Sequence, residues 1–345
     1  MSGPDQDKRN ALLQAVFQLR SKARTRTQPF SCFLDELPNE WASSRARSEP
    51  NPAVDDAELI VNSSFWYQQD KDPHEKLQHR APSLDGFLRG YPIAWVRNPG
   101  TGIWTPYWVR GEWADTLRSL RAGTPAPSPL PPEVRLTLAL ADILVARGYE
   151  QEVKARWDRI CEAAQGELRT RGYAIVRSLI QPQQLGAMRR YYRALVADGG
   201  LPLGDDQSPE RYRLHSEVLA AFLHPQLTSL VSRIAGEEAK PSYVYFASYR
   251  SGASLPRHTD RAQCEFSISL LADYAPEPDG PCGWPLYLED PRMPDEVYAA
   301  DLGIGDCIVY RGRELVHYRN PLPDGHQSTS VFLHYVRAGF SGRLW

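Results

Sequence analysis

The stretch LPRHTDRAQCEFSISLL, residues 255 to 271, opens with His258-Thr259-Asp260 and then alternates polar and apolar residues. In an extended chain, two-residue spacing puts His258 and Asp260 on one face, with Arg257, Thr259 and Arg261 on the other. A His-x-Asp pair alone fits a polar turn as well as a metal site. A second histidine on a later strand tips the balance. In GDCIVYRGRELVHYRNPL, Gly305-Asp306 turns into one strand and a short connection leads to the next, which carries His317. Two neutral imidazoles and one carboxylate on one face of an octahedron leave three positions open to reactants, a donor set suited to ferrous iron and oxygen chemistry.

These residues need a sheet to hold them. From Pro241 onward the segments SYVYFASYR, EFSISLLADY, GWPLYLED, DCIVYRG, ELVHYRN and STSVFLHYV are short and rich in Tyr, Val, Phe and Ile. Gly, Pro and Asp turns separate them, which predicts an antiparallel sandwich or rolled barrel. Upstream, residues 132 to 172 carry apolar positions at helical spacing, predicting two helices before a short strand, YAIVRSLI. PQQLGAMRRYYRALVADGG and SEVLAAFLHPQLTSLVSRIAG predict one helix each. Tyr243, Tyr245 and Tyr249 share one strand face beside the proposed site, with Trp284 on another strand, as pocket or as core.

The proline-rich run GTPAPSPLPPE, Gly123 to Glu133, cannot lie inside a helix or central strand. It divides the 345 residues into a region 1–123, a linker 124–133 and a domain 134–345. The first region holds Trp41, Trp66, Trp95, Trp104, Trp108 and Trp113, six of nine tryptophans, as a small aromatic core or a groove. The fold class expected is α+β.

Composition narrows the function classes. Hydrophobic residues at 42% and charged residues at 24% are ordinary globular usage. A net charge of −2 argues against nucleic acid as a partner. The basic run RSKARTRT, Arg20 to Thr27, reads as a solvated helix end or loose segment. No segment has the apolar length of a membrane span, and no signal peptide is recognisable, so a cytoplasmic protein is expected. Cys32, Cys161, Cys264, Cys282 and Cys307 form no CxxC pair and are expected as buried free thiols.

The stretch YRSGASLPRHTD keeps Tyr249, Gly252, His258 and Asp260 in the spacing of the prolyl 4-hydroxylase branch of the Fe(II)/2-oxoglutarate-dependent dioxygenases. ELRTRGYAIVRSLIQPQQL looks like that superfamily's helix-and-strand entry to its core. The chain resembles the superfamily over roughly residues 165 to 340, and the resemblance does not reach the first 130. It implies a double-stranded β-helix (jelly-roll) core with supporting helices, and Fe(II) on His258, Asp260 and His317. It further implies 2-oxoglutarate as co-substrate, O2, and hydroxylation of a small molecule, a peptide or a protein side chain.

Two positions depart from that branch. A Lys or Arg ten residues past the distal histidine usually holds the far carboxylate of 2-oxoglutarate, and a Tyr three residues after the glycine assists. Here the positions are Gln327 and Leu255. Tyr249, Arg313, Gln327 and Ser328 are the expected co-substrate residues, with Arg250 and Arg311 as further basic candidates. Three alternatives stay open: an iron oxygenase that uses no 2-oxoglutarate, a cupin-like protein with another divalent metal, and a β-roll that only binds.

Overall fold

The structure, a computed structural model, describes residues 30–39, 59–69, 92–293 and 295–344. The run Arg20 to Thr27 and Trp41 lie outside the described residues. Fifteen strands are described: β1 (Leu59–Val61), β2 (Trp66–Gln68), β3 (Ile93–Arg97), β4 (Trp104–Trp108), β5 (Leu144–Ala146), β6 (Tyr173–Val176), β7 (Arg211–His215), β8 (Ala239–Tyr249), β9 (Leu255–His258), β10 (Phe266–Ala275), β11 (Leu286–Glu289), β12 (Val297–Ala300), β13 (Cys307–Tyr310), β14 (Val316–Arg319) and β15 (Gln327–Arg337). The helices are α1 (Ala114–Ser119), α2 (Pro132–Leu140), α3 (Tyr149–Arg171), α4 (Pro182–Ala197), α5 (Val218–Leu223) and α6 (Thr228–Ala235).

Strands β8 to β15 are shared between two antiparallel sheets, and the chain changes sheet at every step except the β11–β12 pair. One has the order β6-β13-β10-β15-β8-β7, the other β12-β11-β14-β9. The chain therefore crosses between the sheets repeatedly as it advances, which is the winding of a jelly roll. Side-chain alternation sorts the buried residues into two layers. On β10, Phe266, Ile268 and Leu270 join the cluster beneath the helices, as do Phe246 on β8 and Val331 and Leu333 on β15. Their neighbours Leu271, Ala247 and Tyr249 join Leu286 and Leu288 of the smaller sheet in a second cluster inside the roll. Strand β10 is buried on both faces although its sequence alternates, because Ser267 and Ser269 point into the roll while Phe266, Ile268 and Leu270 lie beneath the helices. Helices α4, α5 and α6 cover the outer face of the larger sheet.

The segment expected as one helix after Ser216 is two. Pro225 lacks an N–H and crowds the preceding turn, so α5 stops at Leu223 and a 3-10 turn, Pro225–Leu227, leads into α6. Strands β7 and β12 were not anticipated. Strand β7 (RYRLH) alternates charged with other residues and is only partly buried, so no apolar run marks it.

The described tryptophans of the N-terminal region build core. Trp66 stacks on Trp95 with ring centroids 5.9 Å apart, and Trp95 meets Phe222 of α5 at 6.2 Å. The Trp104 N–H donates to Gln226 Oε1 at 2.7 Å. Trp95, Trp104 and Trp108 belong to the same buried cluster as the helices over the roll. The proline-rich stretch is tied to β1, where the Val61 N–H donates to the Thr124 carbonyl at 2.8 Å. All five cysteines are buried and none is in a disulfide. No helix among the described residues is long and apolar enough to cross a membrane.

Candidate metal centre

The smaller sheet brings the two histidines together. Strand β14 pairs with β9 in a register that sets His317 opposite His258, with ring centroids 4.3 Å apart. Asp260 follows β9 by two residues. Its Oδ1 lies 3.6 Å from His317 Nε2 and 3.9 Å from His258 Nε2. One ligand atom from each of the three residues lies within 4.8 Å of the others.

Backbone carbonyls fix both rings. His258 Nδ1 meets the Pro256 carbonyl at 2.8 Å, and His317 Nδ1 meets the Leu315 carbonyl at 3.1 Å. A carbonyl only accepts, so each Nδ1 carries the proton and each Nε2 presents a lone pair toward Asp260. Burial, then the neighbouring His317 imidazole, push His258 below the ordinary histidine value, so its ring is in the neutral form that ligates. Burial alone would raise the Asp260 carboxyl. The surrounding His317, His334 and His258 imidazoles outweigh burial and hold it at about 2, ionised.

Asp260 sits in a cradle that only a glycine leaves open. Its N–H donates to the Gly312 carbonyl at 2.8 Å, and a Cβ placed on Gly312 would fall 2.2 Å from Asp260 Oδ2 and 2.9 Å from the Cys264 carbonyl oxygen. Gly312→Ala is expected to push the carboxylate out of line while the roll stays folded. Metal affinity should fall by about 10–100-fold, the range for losing a group that orients a ligand. Divalent-metal titration beside circular dichroism checks this; an affinity equal to that of the native chain would count against the site.

Asp260, Cys264 and His334 form a second close set. Burial pushes the Cys264 thiol up to about 12 and its sulfur contacts the Tyr243 hydroxyl at 3.1 Å, so it is protonated and a poor ligand. His334 Nδ1 meets Ser267 Oγ at 2.8 Å, and Ser267 Oγ donates to Asp260 Oδ2 at 3.2 Å. This set orients the carboxylate from behind.

The three ligand candidates open onto a cavity of about 380 Å³ that Tyr249, Leu255 and Arg319 also line. The expected co-substrate residues divide. Tyr249 is buried on the cavity wall, its ring 5.1 Å from Trp284. Ser328 is buried and paired with Tyr249 in register, and its hydroxyl has no partner. Gln327 is exposed at the start of β15. Arg313 is half exposed and pairs with Glu265 at 3.4 Å, because YRGRE is a turn after β13 and not a strand with an inward face. Arg311 pairs with Glu314 at 3.2 Å and Arg250 approaches Glu210 at 3.7 Å, so neither lines the cavity.

Arg319 holds the place expected for those arginines. It is buried, and its guanidinium lies 4.4 Å above the Trp284 ring and donates to the Trp284 carbonyl. Among the described residues no carboxylate lies within ion-pair distance of it. Burial pushes its pKa below the usual arginine range. The roll thus encloses a cation with no ion-pair partner among the described residues and only Asp301 acting on it from farther off, a costly arrangement unless an anion arrives. The buried hydroxyls of Ser269, Ser328 and Ser330 also lack partners. The signal for Arg319 was present in its two-residue spacing from His317, which puts both on one face. Arg211, missed as well, is buried at the cavity wall and already neutralised by Asp205 at 2.5 Å.

No protein-family model and no curated protein matches the chain. Among solved structures, the chain is similar to a prolyl-4-hydroxylase from Pseudomonas putida at 18% identity and a TM-score of 0.42, covering 52% of this chain and 100% of that one. A prolyl hydroxylase from Trichoplax adhaerens, in complex with a hypoxia inducible factor peptide fragment, is similar at 16% identity and a TM-score of 0.44, covering 52% and 90%. An oxidoreductase of the 2OG-Fe(II) oxygenase family from Burkholderia pseudomallei is similar at 13% identity and a TM-score of 0.41, covering 53% and 92%.

Proposed function

We propose that the chain is an Fe(II)-dependent dioxygenase that uses 2-oxoglutarate and O2 to hydroxylate a carbon of a small molecule or a single projecting side chain. One observation carries the reading: three neutral or anionic donors converge in a cavity that also holds an anion-seeking guanidinium, Arg319. A purely structural histidine pair would leave that cation unexplained.

The donor set fits ferrous iron, since two imidazoles and one carboxylate are the facial triad of non-heme iron oxygenases. His258, Asp260 and His317 would hold the metal, and Arg319, with Tyr249 and the hydroxyls of Ser328 and Ser330, would hold the co-substrate. When bound, iron with 2-oxoglutarate and oxygen supplies the power to oxidise an unactivated C–H bond. The chain's own work is positional. Arg319 offers charge-assisted bonds that fix a carboxylate deep in the roll. The apolar lining from Leu255 and Leu286 excludes water there. Asp260 stays ionised because Ser267 and the imidazoles stabilise its charge. The described part of residues 1–123 acts in this reading as a brace, since the Trp95 ring packs on Phe222 of α5 and the Trp104 backbone N–H donates to Gln226 in the turn after it.

Anaerobic addition of Fe(II) and then 2-oxoglutarate to the full chain is expected to produce the weak visible charge-transfer band of the chelate, at one equivalent of each. Tight iron binding with no band would leave an iron oxygenase that draws its electrons from the substrate. No stoichiometric metal at all would remove the enzyme reading.

A further inference from the structure

The outer half of the same cavity carries charges that the metal and co-substrate do not use. Arg213 on β7 and Arg261, just after Asp260, line it from different elements. The Arg261 guanidinium lies 5.2 Å above the Tyr243 ring. Arg213 Nε donates to the Gly204 carbonyl at 2.9 Å. Among the described residues, neither has a carboxylate within ion-pair distance. Both lie near enough to His215 to act on it: burial, then Arg261 and Arg213, depress its imidazole to about 4, so this ring adds no charge of its own at neutral pH. Asp205, the nearest acid in the wall, is taken by Arg211, and its other neighbours are the Tyr245 hydroxyl at 2.8 Å and backbone N–H groups. Asp206 is the remaining acid at the rim.

Two like charges lining one cavity repel each other, and a shared anion reverses the sign of that interaction. Between them and the metal ligands runs an aromatic wall. His215 packs edge-on to Tyr245 at 4.7 Å, Tyr245 lies 6.2 Å from Phe332, and Tyr243 lies 4.5 Å from His334. A cavity of about 380 Å³ has room for a small molecule or one side chain, not for a folded segment.

We propose that the substrate carries an oxyanion, a carboxylate or a phosphate, which Arg213 and Arg261 receive at the mouth while its flat or apolar body lies along Tyr243, Tyr245 and Phe332 toward the metal. The inference deepens the dioxygenase reading and rests on it for the word substrate. The anion site itself needs only the two arginines and the wall. Charge at the far end then sets the register of the molecule and decides which carbon faces the oxidising centre.

The test is equilibrium binding to the full chain of phenyl phosphate, benzoate and the neutral control phenol, with and without Fe(II) and 2-oxoglutarate under anaerobic conditions. Phenyl phosphate or benzoate should bind at least about tenfold tighter than phenol, the anion that binds tighter naming the source. Arg213→Gln and Arg261→Gln should each remove about tenfold of that affinity, with Arg213→Lys restoring most of it. The native chain should keep that affinity with 2-oxoglutarate at saturation, when the inner site is filled. Native-like affinity in both Gln variants would overturn the proposal, as would binding that saturating 2-oxoglutarate abolishes. The binding arms need no turnover, so they stay readable if the chain makes no chelate band. In that outcome the dioxygenase reading fails and the anion site stands or falls separately.

Discussion

His317→Ala is expected to cost more than 100-fold in Fe(II) affinity and to remove turnover, because it deletes one of three donors outright and not merely a group that orients one. The effect should be confined to the metal. His317 is buried in the middle of the smaller sheet, where β14 lies between β11 and β9. Its ring meets His258 at 4.3 Å and Tyr310 at 5.1 Å, so truncation leaves a small hole. The hydrogen bond to the Leu315 carbonyl is lost as well, a net cost of about 1 kcal/mol. A chain with a core of this extent remains folded under such a loss. Metal titration, with circular dichroism and thermal unfolding of the same sample, separates the two contributions. A variant that still bound one equivalent of Fe(II) tightly would exclude His317 from the ligand set.

Arg319→Gln should show the opposite pairing of effects. A charge-assisted bond to a carboxylate contributes about 1.5–3 kcal/mol, so the 2-oxoglutarate Kd should rise by roughly 10–100-fold while Fe(II) binds as before. The apo chain should be as stable as the native one or more so. Burial penalises the guanidinium, no carboxylate lies within ion-pair distance among the described residues, the more remote Asp301 offsets the penalty only in part, and a neutral amide relieves it. Thermal shift measures both at once: an unchanged or higher Tm without ligand, and a smaller rise on adding 2-oxoglutarate. A loss of apo stability with 2-oxoglutarate affinity intact would make Arg319 a structural residue and return the carboxylate to another group.

These two residues also mark what can be read along the chain. The His-x-Asp pair was legible because two-residue periodicity is local: wherever that segment is extended, His258 and Asp260 share a face. The strand segments from Pro241 onward and the long helices α3 and α4 were legible for the same reason, since apolar spacing and turn residues act over a few positions. The break at Pro225 was also written locally, and the apolar periodicity running across it obscured it.

Which arginine faces inward was not local. Arg313 and Arg319 are six residues apart, and each lies on the same face as a plausible strand neighbour. The tertiary structure turns one out to Glu265 and the other in against Trp284. That choice depends on where β13 ends, on the turn that follows, and on the irregular register between β14 and β9 at His317 and Arg319. It also depends on Trp284, 35 positions earlier in the chain, whose carbonyl receives the guanidinium. The mouth of the cavity is set over still longer separations, since β7 must pair with β8 before Arg213 can approach Arg261. The sequence by itself determined the donor types, their spacing and the strands that carry them. Only closure of the roll decided which charges are shut inside without partners, because the inward or outward sense of a side chain is a property of sheet register and not of the residue.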